Sequence, residues 1–379
     1  MSRDLAHITE SFHAIAAKGL GAKDLPVDPW IDRYNGSLAD PSGAARYVRY
    51  HVDLLDLVGS GDENPIVVDA GCGFGFTMIL HALLGARQVR GTEINSDMVS
   101  SVRAYLPLLP DDVSSLIELF NGSVTAMPYE DSSVDIVLSV EAISHYLDVD
   151  AFIDEAFRVL RPGGVLLIAD GNNRLNPVIR RRTYAIWEAV ESGPGGQSMY
   201  GHVFGAPYVE VRSELMKQHF PALAQDVRAE IARRTAGFTE EQVITAAREH
   251  LETGALPNSV YRRRQLAIAP DGTAMERLFS PPGMVHRLER RGFSAKAYGY
   301  WGGANGSPVL RAANRVLTAL SPLTMPTAPS FRVVARKAAG GRAHDTGAGR
   351  AARGDPASGV GEDQTAGGAH RNGADIPRA

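Results

Sequence analysis

A β-branched run that ends in an acid, with glycine at every second position after it, has the sharpest chemical spacing in this chain: Val67-Val68-Asp69-Ala70-Gly71-Cys72-Gly73-Phe74-Gly75. The run reads as a buried parallel strand opening into a tight turn before a helix. Glycines without a Cβ let backbone approach a ligand closely, and the next helix offers its free N–H groups. The strand predicted over Gln88–Glu93 continues into Ile94-Asn95. Glu93 thus falls about 20 residues beyond the turn, where an acid can bind both hydroxyls of a ribose. The turn alone does not name the ligand, because nicotinamide and flavin folds use close variants.

Further segments follow in order. Asn121-Gly122-Ser123-Val124-Thr125-Ala126-Met127-Pro128 leads into a strand at Val134. Glu141-Ala142-Ile143-Ser144-His145-Tyr146-Leu147-Asp148 comes next, then Arg158-Val159-Leu160-Arg161-Pro162-Gly163-Gly164 and the apolar run from Val165. Taken together over roughly 42–170, these segments resemble the class I S-adenosylmethionine-dependent methyltransferases, in their small-molecule branch. The resemblance returns weakly over 279–300 and 331–337. It implies S-adenosyl-L-methionine as the cofactor.

Residue by residue, the resemblance implies that Asp69, Gly71, Gly73 and Gly75 hold the methionine end, where a carboxylate suits a cationic ligand. Glu93 would grip the ribose. Ser123 departs from the aspartate that many relatives carry at this place; it would accept from the adenine amine without a charge, beside the Val124 backbone N–H. Glu141 follows the fourth strand at the edge of the methyl-transfer site, as a ligand contact or a helix-cap acid. His145 stands where relatives commonly place a histidine beside the transferred methyl. A hydroxyl acceptor must lose a proton, and an imidazole suits that task, so His145 is the candidate base; the other reading makes it a wall of the substrate site. Tyr146 is a secondary candidate, as a hydrogen-bonding group or against the sulfonium. Tyr200 and His202 are candidate substrate contacts, and Tyr34, Tyr47 and Tyr50 candidate lid contacts. Asp135 reads as structural.

Alternating strands and helices must position these residues: Ile66–Asp69, Gln88–Glu93, Leu116–Phe120, Val134–Val140 and Val165–Asp170 predict a doubly wound, Rossmann-like, mostly parallel sheet in an α/β fold. Ligands of such sheets lie outside the carboxyl ends of the strands. An N-terminal lid segment is expected over 1–41, with Ile8, Phe12 and Ile15 at helical spacing. The cofactor-binding core would span 42–173. A mainly helical insertion over 174–282 would cover the substrate side, with Val178, Ile179, Trp187 and Val190 on one helix and a capping box at Thr239-Glu240-Glu241-Gln242. Residues 283–337 would complete the core through a helix capped by Ser280, strands Ser294–Trp301 and Phe331–Arg336, and between them a helix from Ser307 presenting Leu310, Ala313, Leu317 and Leu320. Beyond about Ala338 the chain is rich in Gly, Ala and Arg, and a disordered tail is expected over 338–379.

The 379 residues carry a net charge of −4, so nothing suggests an electrostatic grip on nucleic acid. No Asn/Asp-Pro-Pro-Tyr/Phe run is present, which speaks against amine methylation of DNA bases. The one cysteine, Cys72, lies in the glycine turn, so there is neither a disulfide framework nor a cysteine nucleophile for cytosine methylation. No metal-ligand spacing is found, and no integral membrane segment or signal peptide; a cytoplasmic protein is expected. The triplets Arg180-Arg181-Arg182 and Arg262-Arg263-Arg264 are solvated helix faces or recognise an acidic acceptor. The expected activity is methylation of a hydroxyl on a small or medium-sized acceptor: a glycan or glycolipid, or a specialised metabolite. N- or C-methylation of a natural product or lipid is the alternative within enzymes, and a non-catalytic cofactor-binding protein the alternative outside them. Peripheral work at a lipid surface would use the helix after Ser307 and the arginine triplets.

Overall fold

A computed structural model describes residues 4–21, 25–59, 64–193, 205–258, 265–268, 270, 275–302 and 308–338. All of them lie within the unit Met1–Ala343. Tyr200, His202, Arg262, Arg263, Arg264, Ser307 and the expected tail from 339 onward lie outside the described residues.

Three helices precede the sheet: α1 (Leu5–Gly21), α2 (Trp30–Asn35) and α3 (Pro41–Val58). The first half of the sheet then alternates β1 (Ile66–Ala70), α4 (Phe76–Leu83), β2 (Gln88–Glu93), α5 (Ser96–Tyr105), α6 (Asp111–Ser114), β3 (Ile117–Asn121), β4 (Val134–Val140), α7 (Val149–Val159) and β5 (Leu160–Asp170). Four helices follow, α8 (Pro177–Ser192), α9 (Tyr208–His219), α10 (Gln225–Arg234) and α11 (Glu240–Thr253). The chain returns through α12 (Pro281–Glu289), β6 (Phe293–Tyr300), α13 (Pro308–Ala319), α14 (Ser321–Thr324) and β7 (Ser330–Lys337).

The strands form one sheet in the order β3-β2-β1-β4-β5-β7-β6. The first five pair in parallel, while β7 runs antiparallel to both β5 and β6. This is the doubly wound α/β fold expected from the alternation. The order reverses between β1 and β4, which opens a crevice at their carboxyl ends. Alternate side chains serve opposite faces. Val67, Val165 and Leu167 pack with Phe12, Leu54 and Phe76 of α1, α3 and α4. Val68, Leu166 and Ile168 pack with Phe152, Ile153 and Met284 of α7 and α12. With both faces covered, these strands read as continuous apolar runs.

Several boundaries differ from expectation. β5 begins at Leu160 rather than Val165, because a register shift near Val134 and Ile136 lets Leu160 pair with Val134 ahead of the regular ladder. β3 lies one residue later than expected, at Ile117–Asn121, and β6 one residue earlier, at Phe293–Tyr300. Asp135 is structural, as read: it accepts from Ile66 N at 2.7 Å and pairs with Arg161, tying β1 to β4 and β5. In α8, Trp187 and Val190 are buried but Val178 is exposed. The Thr239 N–H donates to the Gln242 side chain at 2.9 Å, as a capping box requires. Helix α13 buries none of its described residues, and Val309, Leu310, Val316 and Leu320 face solvent.

The helical insertion is pinned at its neck. Asn173 bridges Phe279, and Arg174 N donates to Phe279 O at 2.8 Å. Asn173 also donates its side-chain amide to Met325 O and Ala328 O at 2.9 and 2.7 Å. The departing and returning chains therefore cross the carboxyl end of β5 together. Within the insertion, Met216, Ile231 and Val243 form a separate apolar cluster. Fully buried Arg212 of α9 joins it to α8 by pairing with Glu191, which is also buried, and by donating to Ala232 O at 3.0 Å.

Removing one partner of a buried pair leaves an uncompensated charge. Glu191→Leu should lower unfolding free energy in urea by about 3–5 kcal/mol, and Arg212→Met added to it should recover most of the loss. Equal loss in the single and double variants would show that the pair holds no charge in balance.

Candidate functional site

Asp69 is the last polar residue of β1 and is buried at the crevice floor. Its Oδ2 has no hydrogen-bond partner among the described residues. Burial, together with repulsion from the Glu93 carboxylate, pushes its pKa up to about 7. A cationic group placed against Oδ2 would relieve both effects. The turn above it is built for close approach. Gly71, Gly73 and Gly75 have φ of +73°, +52° and +75°, a region that glycine enters without the steric cost of a Cβ. A Cβ on Gly71 would lie 2.8 Å from the Ala142 Cβ, whereas the space beside Gly73 is open. The Gly71 and Cys72 N–H groups donate to Thr92 O at 2.8 and 3.2 Å, which fastens the turn to the end of β2.

Glu93 is buried at that end. Its Oε2 accepts from Gly73 N and its Oε1 from Asn95 N, each at 2.9 Å. Each oxygen keeps a second lone pair for a vicinal diol. Asn95 in turn caps α5 by accepting from Asp97 N and Met98 N. The loop after β3 docks against the same place, with Gly122 N donating to Glu93 O at 2.9 Å. There Ser123 Oγ shares a 2.7 Å hydrogen bond with Thr125 Oγ1, and half-buried Val124 packs on the core beneath α7.

Glu141 and His145 stand on the other side of the order reversal. Glu141 follows β4 directly and has φ +51°, a strained value for a residue with a side chain and one that clusters at ligand sites. Its Oε2 accepts from Gly171 N at 3.0 Å and its Oε1 from the Tyr50 hydroxyl at 3.4 Å. Glu141 is open to solvent on one side, and desolvation by its crowded surroundings together with the neighbouring Asp170 raises its pKa. His145 ends a short 3₁₀ turn and is exposed. Asp170, at the end of β5, is fully buried and accepts from Ser144 N and Asn172 N at 3.3 and 2.8 Å. Glu276 arrives on the returning arm of the insertion, where Arg277 N donates to Ser144 O at 2.9 Å. Burial raises both Asp170 and Glu276, and the nearby His145 opposes the shift in each.

The structure thus gathers Asp69, the three glycines, Glu93, Ser123 and Val124 around one half of the crevice, and Glu141 and His145 around the other. Tyr146 is engaged within the protein. Its buried hydroxyl donates to Ala70 O at 2.6 Å and lies 3.0 Å from Ser139 Oγ. It braces the strand end beneath Gly71. Among the lid candidates, Tyr47 bonds Thr77 at 2.7 Å, Tyr50 reaches Glu141 and Tyr34 approaches Phe74. Asp170 and Glu276 were missed. Asp170 closes an apolar strand run as the β1 run leads to Asp69, which is a usable signal; Glu276 carries none, since only the pinned neck of the insertion brings it near.

No group of three or more His, Cys, Asp or Glu among the described residues could hold a metal ion. A surface cleft of about 430 Å³, lined by Arg90, Glu118, Phe120 and Tyr129 at the β3 edge, shares no residue with this crevice.

The orphaned Asp69 oxygen and the open glycine turn fit the cationic amino-acid end of S-adenosylmethionine. With Asp69 titrating at about 7, its folded-state pKa lies above that of the unfolded chain, so this group costs stability as pH rises from the ordinary carboxylate range towards 7. S-adenosylmethionine binding should tighten over the same interval and release protons, read by calorimetry in buffers of different ionisation heat. Asp69→Asn should abolish both effects. Glu93→Ala should weaken binding; unchanged affinity would mean that the ribose is held elsewhere.

Comparison with known proteins adds the family. A methyltransferase domain matches residues 68–168. A probable S-adenosylmethionine-dependent methyltransferase of Mycolicibacterium smegmatis is 38% identical over 106 residues, covering 28% of this chain and 38% of that protein. The 2-methyl-6-phytyl-1,4-hydroquinone methyltransferase of Synechocystis is 32% identical over 152 residues, covering 38% and 46%. A probable phthiotriol/phenolphthiotriol dimycocerosates methyltransferase of Mycobacterium ulcerans is 26% identical over 227 residues, covering 56% and 82%. The chain thus spans less than half the length of the first two. Residues 68–168 thus carry a methyltransferase domain, and these matches support the class I S-adenosylmethionine-dependent methyltransferases as its family, with S-adenosyl-L-methionine as the cofactor.

Proposed function

We propose that this chain transfers the methyl group of S-adenosylmethionine to a hydroxyl of a small or medium-sized acceptor, with His145 as the general base. The observation that carries this reading is the placement of exposed His145 beside Asp170 and Glu276, across the crevice from the glycine turn and Glu93. Bound at the turn, S-adenosylmethionine supplies an electrophilic methyl group. Methyl transfer is an in-line displacement whose rate depends chiefly on positioning. The buried carboxylates of Asp69 and Glu93 orient the cofactor. His145 takes the hydroxyl proton, and the proton rests next to two carboxylates. Glu141, lying between the turn and the open side, is placed to contact either ligand.

The acceptor classes supported are a glycolipid or glycan hydroxyl and a specialised or lipid-linked metabolite. Relatives named for a phytyl hydroquinone and for dimycocerosates support a hydroxyl-bearing, lipid-linked one. The net charge of −4 supports an acceptor other than nucleic acid. No helix among the described residues is long and apolar enough to cross a membrane. A second reading is carbon methylation of an electron-rich ring, supported by the hydroquinone named for the Synechocystis relative. His145 would then remove a ring hydroxyl proton and raise the nucleophilicity of the carbon beside it.

Incubating the protein with methyl-labelled S-adenosylmethionine and cell extract should label one acceptor, and fragmentation of that product distinguishes O- from C-methylation. His145→Ala should keep cofactor affinity and lower turnover by roughly 100-fold or more. Near-unchanged turnover would reject the base. Cofactor binding without label in any acceptor would point to the non-catalytic reading.

A further inference from the structure

Beside the crevice lies a second cavity, of about 290 Å³, walled by Ser37, Leu38, Arg46, Tyr47, Tyr50 and Tyr300. It opens between α3 and β6, and one of its tyrosines, Tyr50, also reaches Glu141. Behind two of these rings is Arg332 of β7. It is 5% exposed, with its guanidinium carbon 3.8 Å from the Tyr300 ring centre and 5.0 Å from that of Tyr50. Its Nε and Nη2 have no hydrogen-bond partner among the described residues. Asp53 feels its charge electrostatically but forms no ion pair with it among the described residues. Buried His51, whose ring centre lies 4.5 Å from that of Tyr47 at a tilt of 46°, also has both ring nitrogens without a hydrogen bond among the described residues.

A guanidinium between two rings gains about 0.5–2 kcal/mol from each cation–π contact. Taking an ion out of water costs several kcal/mol unless its donors are satisfied. The two rings alone leave that cost open. A planar fork of free N–H donors is shaped for a carboxylate or phosphate. Arg46 places a second, exposed cation on the wall of the same cavity. Tyr50, which screens Arg332, is held to Glu141 by a long bond of 3.4 Å and packs edge-on against His51 and Tyr300, so an anion that displaces it must repay these contacts and the one with Arg332.

We propose that this cavity is the acceptor subsite, and that the acceptor is a flat, ring-bearing molecule whose oxyanion, a carboxylate or a phosphate, pairs with Arg332 when Tyr50 swings aside. With the anion there and the ring among Tyr47, Tyr50 and Tyr300, the rest of the molecule reaches past Glu141 towards His145. The carboxylates facing this path, Glu141, Asp170 and Asp53, favour an anion held at the arginine end only. This subsite rests on the methyltransferase reading above for its meaning as an acceptor site, but its occupancy by an anion does not depend on turnover.

The test is calorimetric titration of the full-length protein with benzoate, phenyl phosphate and the neutral benzyl alcohol. At least one anion should bind about 10-fold or more tighter than the alcohol, and whichever of the two binds tighter identifies the acid group. Arg332→Met should remove that preference while leaving S-adenosylmethionine affinity unchanged, and Arg332→Lys should restore part of it. Equal binding of benzoate and benzyl alcohol, an anion preference unchanged in Arg332→Met, or no binding of either anion up to about 10 mM, a free energy of only about −3 kcal/mol, would overturn the proposal. If Arg332→Met does not fold, the ligand comparison on the unaltered protein and Arg46→Met, which should weaken both anions, decide it. Loss of cofactor binding or of methyl transfer with the anion preference intact would count against the methyltransferase reading alone.

Discussion

Asp69 and Glu93 lie at the ends of adjacent parallel strands, both out of water, beneath a turn whose Gly71 leaves no room for a Cβ against Ala142. Two carboxylates so close and so dry repel each other, and the raised pKa of Asp69 is the sign of it. The backbone answers Glu93 with two N–H donors, while one Asp69 oxygen has no hydrogen-bond partner among the described residues. The pair thus carries an electrostatic cost that a cation placed beside Asp69 would relieve. Around that pair the rest of the first half of the fold is arranged: Thr92 O holds the turn down, and Tyr146 braces Ala70 from below.

The other half of the crevice depends on a long-range event. The insertion leaves after β5 and comes back through Phe279, and the Asn173 side chain fastens both passages to the segment before β7. That neck lays residues 275–279 across Ser144 and brings Glu276 to His145. A helical insertion hung from one flexible hinge would not place a carboxylate reproducibly. One tied down by paired backbone on both passages does, and its own apolar cluster and buried Arg212–Glu191 pair keep it rigid.

The N-terminal helices are part of the core. Phe12, Ile31, Leu38, Val48 and Leu54 belong to the same buried cluster as the first strand, so α1 to α3 are as much core as cover. The cost of that packing falls on polar groups: His51 lies buried against His81, with burial lowering its pKa, and Arg332 lies buried against two tyrosines. Unsatisfied donors concentrated on one side of α3 distinguish this wall from an ordinary apolar interface, where such groups are rare.

Strand limits at Gln88–Glu93 and Val134–Val140 were legible in the residues, because β-branched runs and the glycines and acids that end them act locally. The glycine turn and Glu93 were legible for the same reason: a positive φ and a strand-end acid are properties of a few consecutive residues. The start of β5 at Leu160 was not, since it depends on a register shift against Val134. Nor was the part played by Tyr146, whose hydroxyl finds its partner 76 residues away. Asp170, Glu276 and Arg332 share that limit: each takes its character from neighbours distant in the chain. Residue type and local spacing by themselves determined most of the sheet, the glycine turn and the acid that ends β2. Only the tertiary structure decided which buried charges stand unanswered, because burial and partnership are properties of the packed chain and not of any short segment of it.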